Sequence, residues 1–132
     1  GRPLKTFKNA WFERFARKQN ISDATLLAAV AQAERGLIDA DLGSGVIKLR
    51  LARDGQGKSG SYRTIILYRA AKLAVFVYGF AKSDRSNLSH DELAQFKKAA
   101  SHVLALSEMQ LTALVNKGLF SEVHEHGKQV PE

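Results

Sequence analysis

The run Leu73-Ala74-Val75-Phe76-Val77-Tyr78-Gly79-Phe80 limits what this chain can become more than any other segment. It is nearly all apolar, yet far shorter than the roughly 18–20 residues that cross a bilayer. A short apolar run rich in β-branched and aromatic residues reads as a strand buried on both faces. Just upstream, Ile47, Leu49 and Leu51 alternate with Lys48 and Arg50, the period of a strand with one apolar and one basic face. A second strand spans Tyr62 to Arg69. The glycine-rich segment Asp54-Gly55-Gln56-Gly57-Lys58-Ser59-Gly60 joins the first two as a hairpin tip, and Ala70-Ala71-Lys72 turns into the third.

Helical periodicity brackets this β-region. Phe7, Trp11, Phe12, Phe15 and Ala16 fall at spacings of three and four, one face of a helix after a short extended start. Ser22 caps a second helix through Leu26, Leu27, Val30 and Ala31, stopped by Gly36. Ser89 with Glu92, and Ser107 with Gln110, have the spacing of capping boxes for two late helices, the second ending near Gly118. The expectation is an α+β fold: N-terminal helices, a small antiparallel meander of three or four strands, then C-terminal helices. As a single domain over 1–132, it divides into a basic helical region 1–36, a β-hairpin core 44–82, helices 89–118 and a frayed polar tail 121–132.

Composition narrows the chemistry. Cysteine is absent, which removes disulfides, zinc–thiolate sites and cysteine nucleophiles and suits a reducing cytoplasm. The N-terminus lacks an apolar signal core, so neither export nor a membrane is expected. Twenty Lys and Arg against thirteen Asp and Glu leave +7, which points toward a polyanionic partner. Residues 48–72 hold seven cations and one carboxylate, and residues 1–20 hold six and one, whereas 21–45 hold one cation and four carboxylates. Lys48, Arg50, Arg53, Lys58 and Arg63 lie on neighbouring strands and the loop between them, so they should form one compact patch. A solubility surface mixes signs, and this set does not. Tyr62, Tyr68, Tyr78 and Phe80 offer ring faces for unpaired bases or fill the core.

Several enzyme chemistries find little support. Gly57-Lys58-Ser59 suggests a nucleotide-binding P-loop, but Ala52 stands where that motif requires glycine, and a strand follows rather than a helix. His90 and His102 belong to a late helix, and His124 with His126 make only two ligands for a metal. No Ser-His-Asp order and no paired carboxylates accompany the patch. No metal or cofactor is expected. A basic recognition helix for DNA is also missing, because the cations sit mainly on strands.

Taken in order, Gly43-Ser44-Gly45-Val46-Ile47-Lys48-Leu49-Arg50, then Gly57-Lys58-Ser59-Gly60-Ser61-Tyr62-Arg63, then Tyr78-Gly79-Phe80-Ala81-Lys82-Ser83-Asp84-Arg85, the chain resembles the RelE/HigB-like toxins of type II toxin–antitoxin systems from about Phe7 to about Leu114. The resemblance implies a microbial-ribonuclease-type fold, metal-independent cleavage of messenger RNA in the ribosomal A site, and a neighbouring antitoxin, often with a helix-turn-helix. It nominates Lys58, Arg63 and Lys82 as catalytic and adds Arg85 to Lys48, Arg50, Arg53 and Tyr62 as RNA contacts. Asn87-Leu88-Ser89 occupies the region where the better-known RelE branch has a late catalytic tyrosine, which leaves acid and base open between Lys58 and Lys82. A non-nucleolytic toxin of the same superfamily, such as its gyrase-directed branch, is the alternative reading.

Overall fold

The computed structural model describes residues 4–53 and 57–124, with the backbone alone at 52, 53 and 57–60. Strand β1 (Lys5–Asn9) runs directly into helix α1 (Ala10–Gln19). Asn9 makes that change of geometry, its side-chain oxygen accepting from Phe12 N at 2.8 Å. Asn20 closes the helix at φ 60°, a left-handed position that asparagine tolerates. Ser22 caps α2 (Asp23–Glu34) by accepting from Thr25 N, and Gly36 follows its end at φ 82°. Strands β2 (Ala40–Gly43), β3 (Val46–Arg53), β4 (Gly57–Arg69) and β5 (Leu73–Ala81) pair successively as an antiparallel meander. Helices α3 (His90–Val103) and α4 (Glu108–Asn116) each open on the expected capping box, and β6 (Phe120–Glu122) follows.

The described residues form one six-stranded sheet in the order β2-β3-β4-β5-β1-β6. This exceeds the three or four strands expected. Strand β1 lies parallel to β5, with Phe7 opposite Val75, and β6 lies antiparallel to β1. Phe7 is therefore a strand residue, not part of the α1 face. Strand β4 begins at Gly57 rather than Tyr62, which places Lys58 on the strand instead of in a hairpin loop. The supposed tail also starts too early: Phe120–Glu122 pair with β1, and Val123 is buried with its N–H bonded to the Thr6 carbonyl at 2.8 Å.

Helices cover both faces of the sheet, which explains the nearly unbroken apolar run of β5. On one side Phe12, Ala16, Leu26 and Val30 of α1 and α2 pack against Ile47, Leu49, Leu51, Ile66 and Phe76. On the other, Leu93, Phe96 and Ala100 of α3 and Leu111 of α4 pack against Val46, Ile65, Leu67, Val75 and Val77. A bulge sits at Val77, because Ile65 pairs with Tyr78 while Ile66 pairs with Phe76. It turns Tyr78, with Val77, toward the α3 side.

Phe12 and Phe76 are fully buried with ring centroids 5.1 Å apart. Replacing Phe76 with Ala should lower the unfolding free energy by about 3–5 kcal/mol, read from urea denaturation midpoints. A loss below about 1 kcal/mol would mean that this contact does not join the first helix pair to the sheet.

Candidate nucleic-acid interface

Strand register brings three of the expected cations, Lys48, Arg50 and Arg63, onto one face. Lys48, Ile65 and Tyr78 form one cross-strand row, and Arg50, Arg63 and Phe80 form the next. Residues directly opposite on paired strands share a face. That face belongs to α3, since Ile65 lies in the core beneath it and Lys48 Nζ donates to Asn87 Oδ1, just before the helix, at 3.4 Å.

The helix does not cover the second row. Its last turns, at Ala100 and Leu104, lie against Gly45, where a Cβ would stand 2.6 Å from Leu104 Cδ1. Phe96, farther toward the N-terminus, is 5.8 Å from Tyr78 between ring centroids. The first turn reaches Arg85 through Glu92. Over Phe80 lies the Arg85 guanidinium, 5.5 Å from the ring centroid, rather than a helix side chain. Arg50 is exposed, and Lys82 is exposed immediately after β5. Neither makes a hydrogen bond or ion pair with another described residue.

Arg63 is more constrained. Its Nη1 donates to Ser61 Oγ at 2.9 Å, and its Nε lies 3.4 Å from Asp39 Oδ2. Asp39 arrives from the segment between α2 and β2, fixed by its own N–H bonding to the Lys48 carbonyl at 2.9 Å. The Arg63 side chain keeps 12% exposure and that of Asp39 27%, so the pair is sheltered but reachable. Among the described residues Arg63 Nη2 has no hydrogen-bond acceptor, so one nitrogen of the guanidinium is left without a partner there.

Arg85 has no such nitrogen. Nε donates to the Asn87 carbonyl, Nη1 to Tyr78 Oη and Glu92 Oε2, and Nη2 to the Asn87 carbonyl and Glu92 Oε1 at 2.5 Å. These five bonds match the five N–H donors of a guanidinium. Arg85, expected as an RNA contact, here forms a brace joining β5, the loop after it and α3. The hydrogen bonds to Glu92 raise the Arg85 pKa. In return the Arg85 guanidinium, helped by the Ser89 N–H, holds Glu92 down at about 2 against an ordinary 4.5.

Tyr62, also expected as an RNA contact, lies away from this face. It is buried on the opposite face, with its ring edge-on to Phe15 and its hydroxyl donating to Gln19 Oε1 at 2.6 Å. A base cannot stack on it there. Tyr68 likewise packs with the α1–α2 side. Arg53 and Lys58 lie on β3 and β4, but their side chains fall outside the described residues. His126 is also outside them, and no group of three potential metal ligands occurs among the described residues. No described helix is long and apolar enough to cross a membrane.

Two participants escaped the sequence reading. Asp39 stands 24 positions before Arg63, within a stretch that reads simply as acidic. Trp11, 37% exposed, stacks on Phe15 and lies 4.6 Å from Tyr78 between ring centroids, joining α1 to the margin of the basic face.

A family model described as RelE toxin of the RelE/RelB toxin–antitoxin system matches residues 4–123. The chain belongs to the RelE toxin family. No match was found among curated proteins. RelE toxins pair with an antitoxin, and the matched span takes in every helix and strand described above.

In Glu92→Gln the amide still caps α3, because glutamine serves in a capping box, while the charge pair with Arg85 is lost. A carboxyl whose folded pKa is depressed stabilises the fold above its unfolded value, and that benefit disappears as pH falls through the folded value. Wild type should therefore melt above the variant at neutral pH, with the gap closing as pH falls from about 4.5 to about 2. Parallel melting curves across that window would show that the pair adds nothing.

Proposed function

We propose that this RelE-family toxin is an endoribonuclease that cleaves messenger RNA on the ribosome in the cytoplasm, using side-chain cations for the work a metal ion does elsewhere. The observation that carries this reading is the cross-strand pair of Arg50, exposed, and Arg63, sheltered, on one sheet face, with Lys82 exposed just after the adjoining strand. Cleavage of RNA by its own 2′-hydroxyl concentrates negative charge on the phosphoryl oxygens as the phosphorus becomes five-coordinate. Fixed donors aimed at that charge are commonly the largest contribution to such catalysis.

Arg63 fits this task because Ser61 at Nη1 and Asp39 near Nε fix its guanidinium and leave Nη2 to meet phosphate. Arg50, opposite it, and Lys48, one row behind, extend the contact along the backbone, and charge of this kind binds RNA without reading sequence. Lys82 serves as the proton donor to the leaving 5′-oxygen. Lys58 keeps its nominated catalytic role on the strength of the family resemblance, and Arg53 its RNA-binding role on its place among the basic strand residues. The partner that restrains the toxin is an antitoxin of the helix-turn-helix DNA-binding type, and the target lies in the ribosomal A site.

A second reading, a toxin that binds its target without cutting RNA, draws support from Arg85, whose donors are all engaged internally, and from the buried Tyr62. Mapping messenger RNA 5′ ends after induction separates the two. Arg63→Ala should lower cleavage by about 10²–10³-fold and relieve growth arrest, with circular dichroism confirming the fold. Growth arrest that persists with new 5′ ends intact removes Arg63 from the mechanism; arrest without new ends in wild type favours the binder.

A further inference from the structure

We propose that Asp39 is the proton acceptor for the attacking 2′-hydroxyl, an inference that rests on the endoribonuclease reading. Its position is set by the fold: the Asp39 N–H is bonded to the Lys48 carbonyl, and the carboxylate reaches past β3 to Arg63 on β4. A phosphodiester bound at Nη2 would bring the adjoining ribose toward Asp39 Oδ2, because Nη2 shares an edge of the guanidinium with Nε, which lies 3.4 Å from that oxygen.

Charge makes this placement informative. RNA binding is driven by neutralising phosphates, and a carboxylate beside the arginine that holds one opposes it. The ion pair is largely sheltered, at 12% and 27% side-chain exposure, so Asp39 also holds Arg63 in place. A carboxylate kept at this point against the charge that binds RNA is accounted for if it acts in the reaction as well. Other acids near the face are less suitable. Both oxygens of Glu92 are taken by Arg85, with Ser89 N–H also on Oε1, and no hydrogen bond from another described residue orients the exposed Asp84 carboxylate.

The step balances without a co-reactant. The 2′-O–H bond breaks and its proton passes to an Asp39 oxygen as the 2′-oxygen bonds to phosphorus. The P–O5′ bond then breaks, and the 5′-oxygen takes a proton from the Lys82 ammonium, leaving a 2′,3′-cyclic phosphate and a 5′-hydroxyl. Proton exchange with water returns both side chains to their starting forms.

Asp39→Asn separates catalysis from positioning, because the amide keeps an oxygen toward Arg63 but is not a base. Single-turnover cleavage would be measured on an oligoribonucleotide and on translating ribosomes. Affinity would be read by fluorescence anisotropy with an oligonucleotide carrying 2′-deoxyribose at the cleavage position, and folding by unfolding midpoint. The expected result is cleavage slower by about 10²–10⁴-fold, the usual contribution of a general base, with affinity unchanged or tighter. Asp39→Glu, which retains a carboxylate, should cleave faster than Asp39→Asn, and this comparison stands even if the asparagine variant is less stable. Cleavage within about threefold of wild type, or a loss of rate that tracks a loss of affinity, would overturn the assignment and leave Asp39 as a support for Arg63. Wild-type protein that cuts neither substrate would instead overturn the endoribonuclease reading, and this inference with it.

Discussion

Burial of the β4–β5 pair from both sides is the constraint on which the rest of this molecule depends. Ile65, Ile66, Leu67, Val75 and Phe76 are almost fully removed from water, and no single helix pair could cover both faces they occupy. At about 25 cal/mol per Å² of apolar surface, this burial is the main force holding helices on each side. The two helix pairs are therefore required by the sheet, and their lengths decide where its cover ends. α3 starts at His90, and the row of Arg50, Arg63 and Phe80 is left past its first turn.

Open backbone structure at that boundary would be poorly held without the Arg85 brace. Its guanidinium ties Tyr78 on β5 to Glu92 on α3 and to the Asn87 carbonyl between them, while the Asn87 side chain accepts from Lys48 on β3. One cation is thus used to fix the frame, and others are left to face an anion. The division follows acceptors: Arg85 has enough nearby oxygens for all its donors, whereas Arg63 Nη2 has none among the described residues.

Helix starts were legible because caps are local. Asn9 apart, each capping residue stood in the sequence at its working distance from the first turn: Ser22, Ser89 with Glu92, and Ser107 with Gln110. The alternation of Ile47, Leu49 and Leu51 with Lys48 and Arg50 likewise reported two different environments. What escaped was non-local. Lys5–Asn9, Ala40–Gly43 and Phe120–Glu122 are too short to show a period and become strands only because a neighbouring strand offers hydrogen bonds. Tyr62 and Tyr78 look alike in the sequence, but the bulge at Val77 sends Tyr78 to the basic side while Tyr62 enters the opposite core. The meeting of Asp39 with Arg63 carries no local signature, being a product of β2 folding back along β3.

The pairing of β1 with β6 also governs the order in which the molecule can be completed. Residues 7–9 find their outer partners only at 120–122, and the Thr6 carbonyl receives its bond from Val123. Such distant closure is slow relative to hairpin formation, since more than a hundred intervening residues must first be ordered. During synthesis the meander and both early helices can assemble while that margin of the sheet stays open. The finished edge of the described sheet arrives last, once the stretch following α4 has left the ribosome, so β1 waits for its outer neighbour until every other described strand and helix has been made.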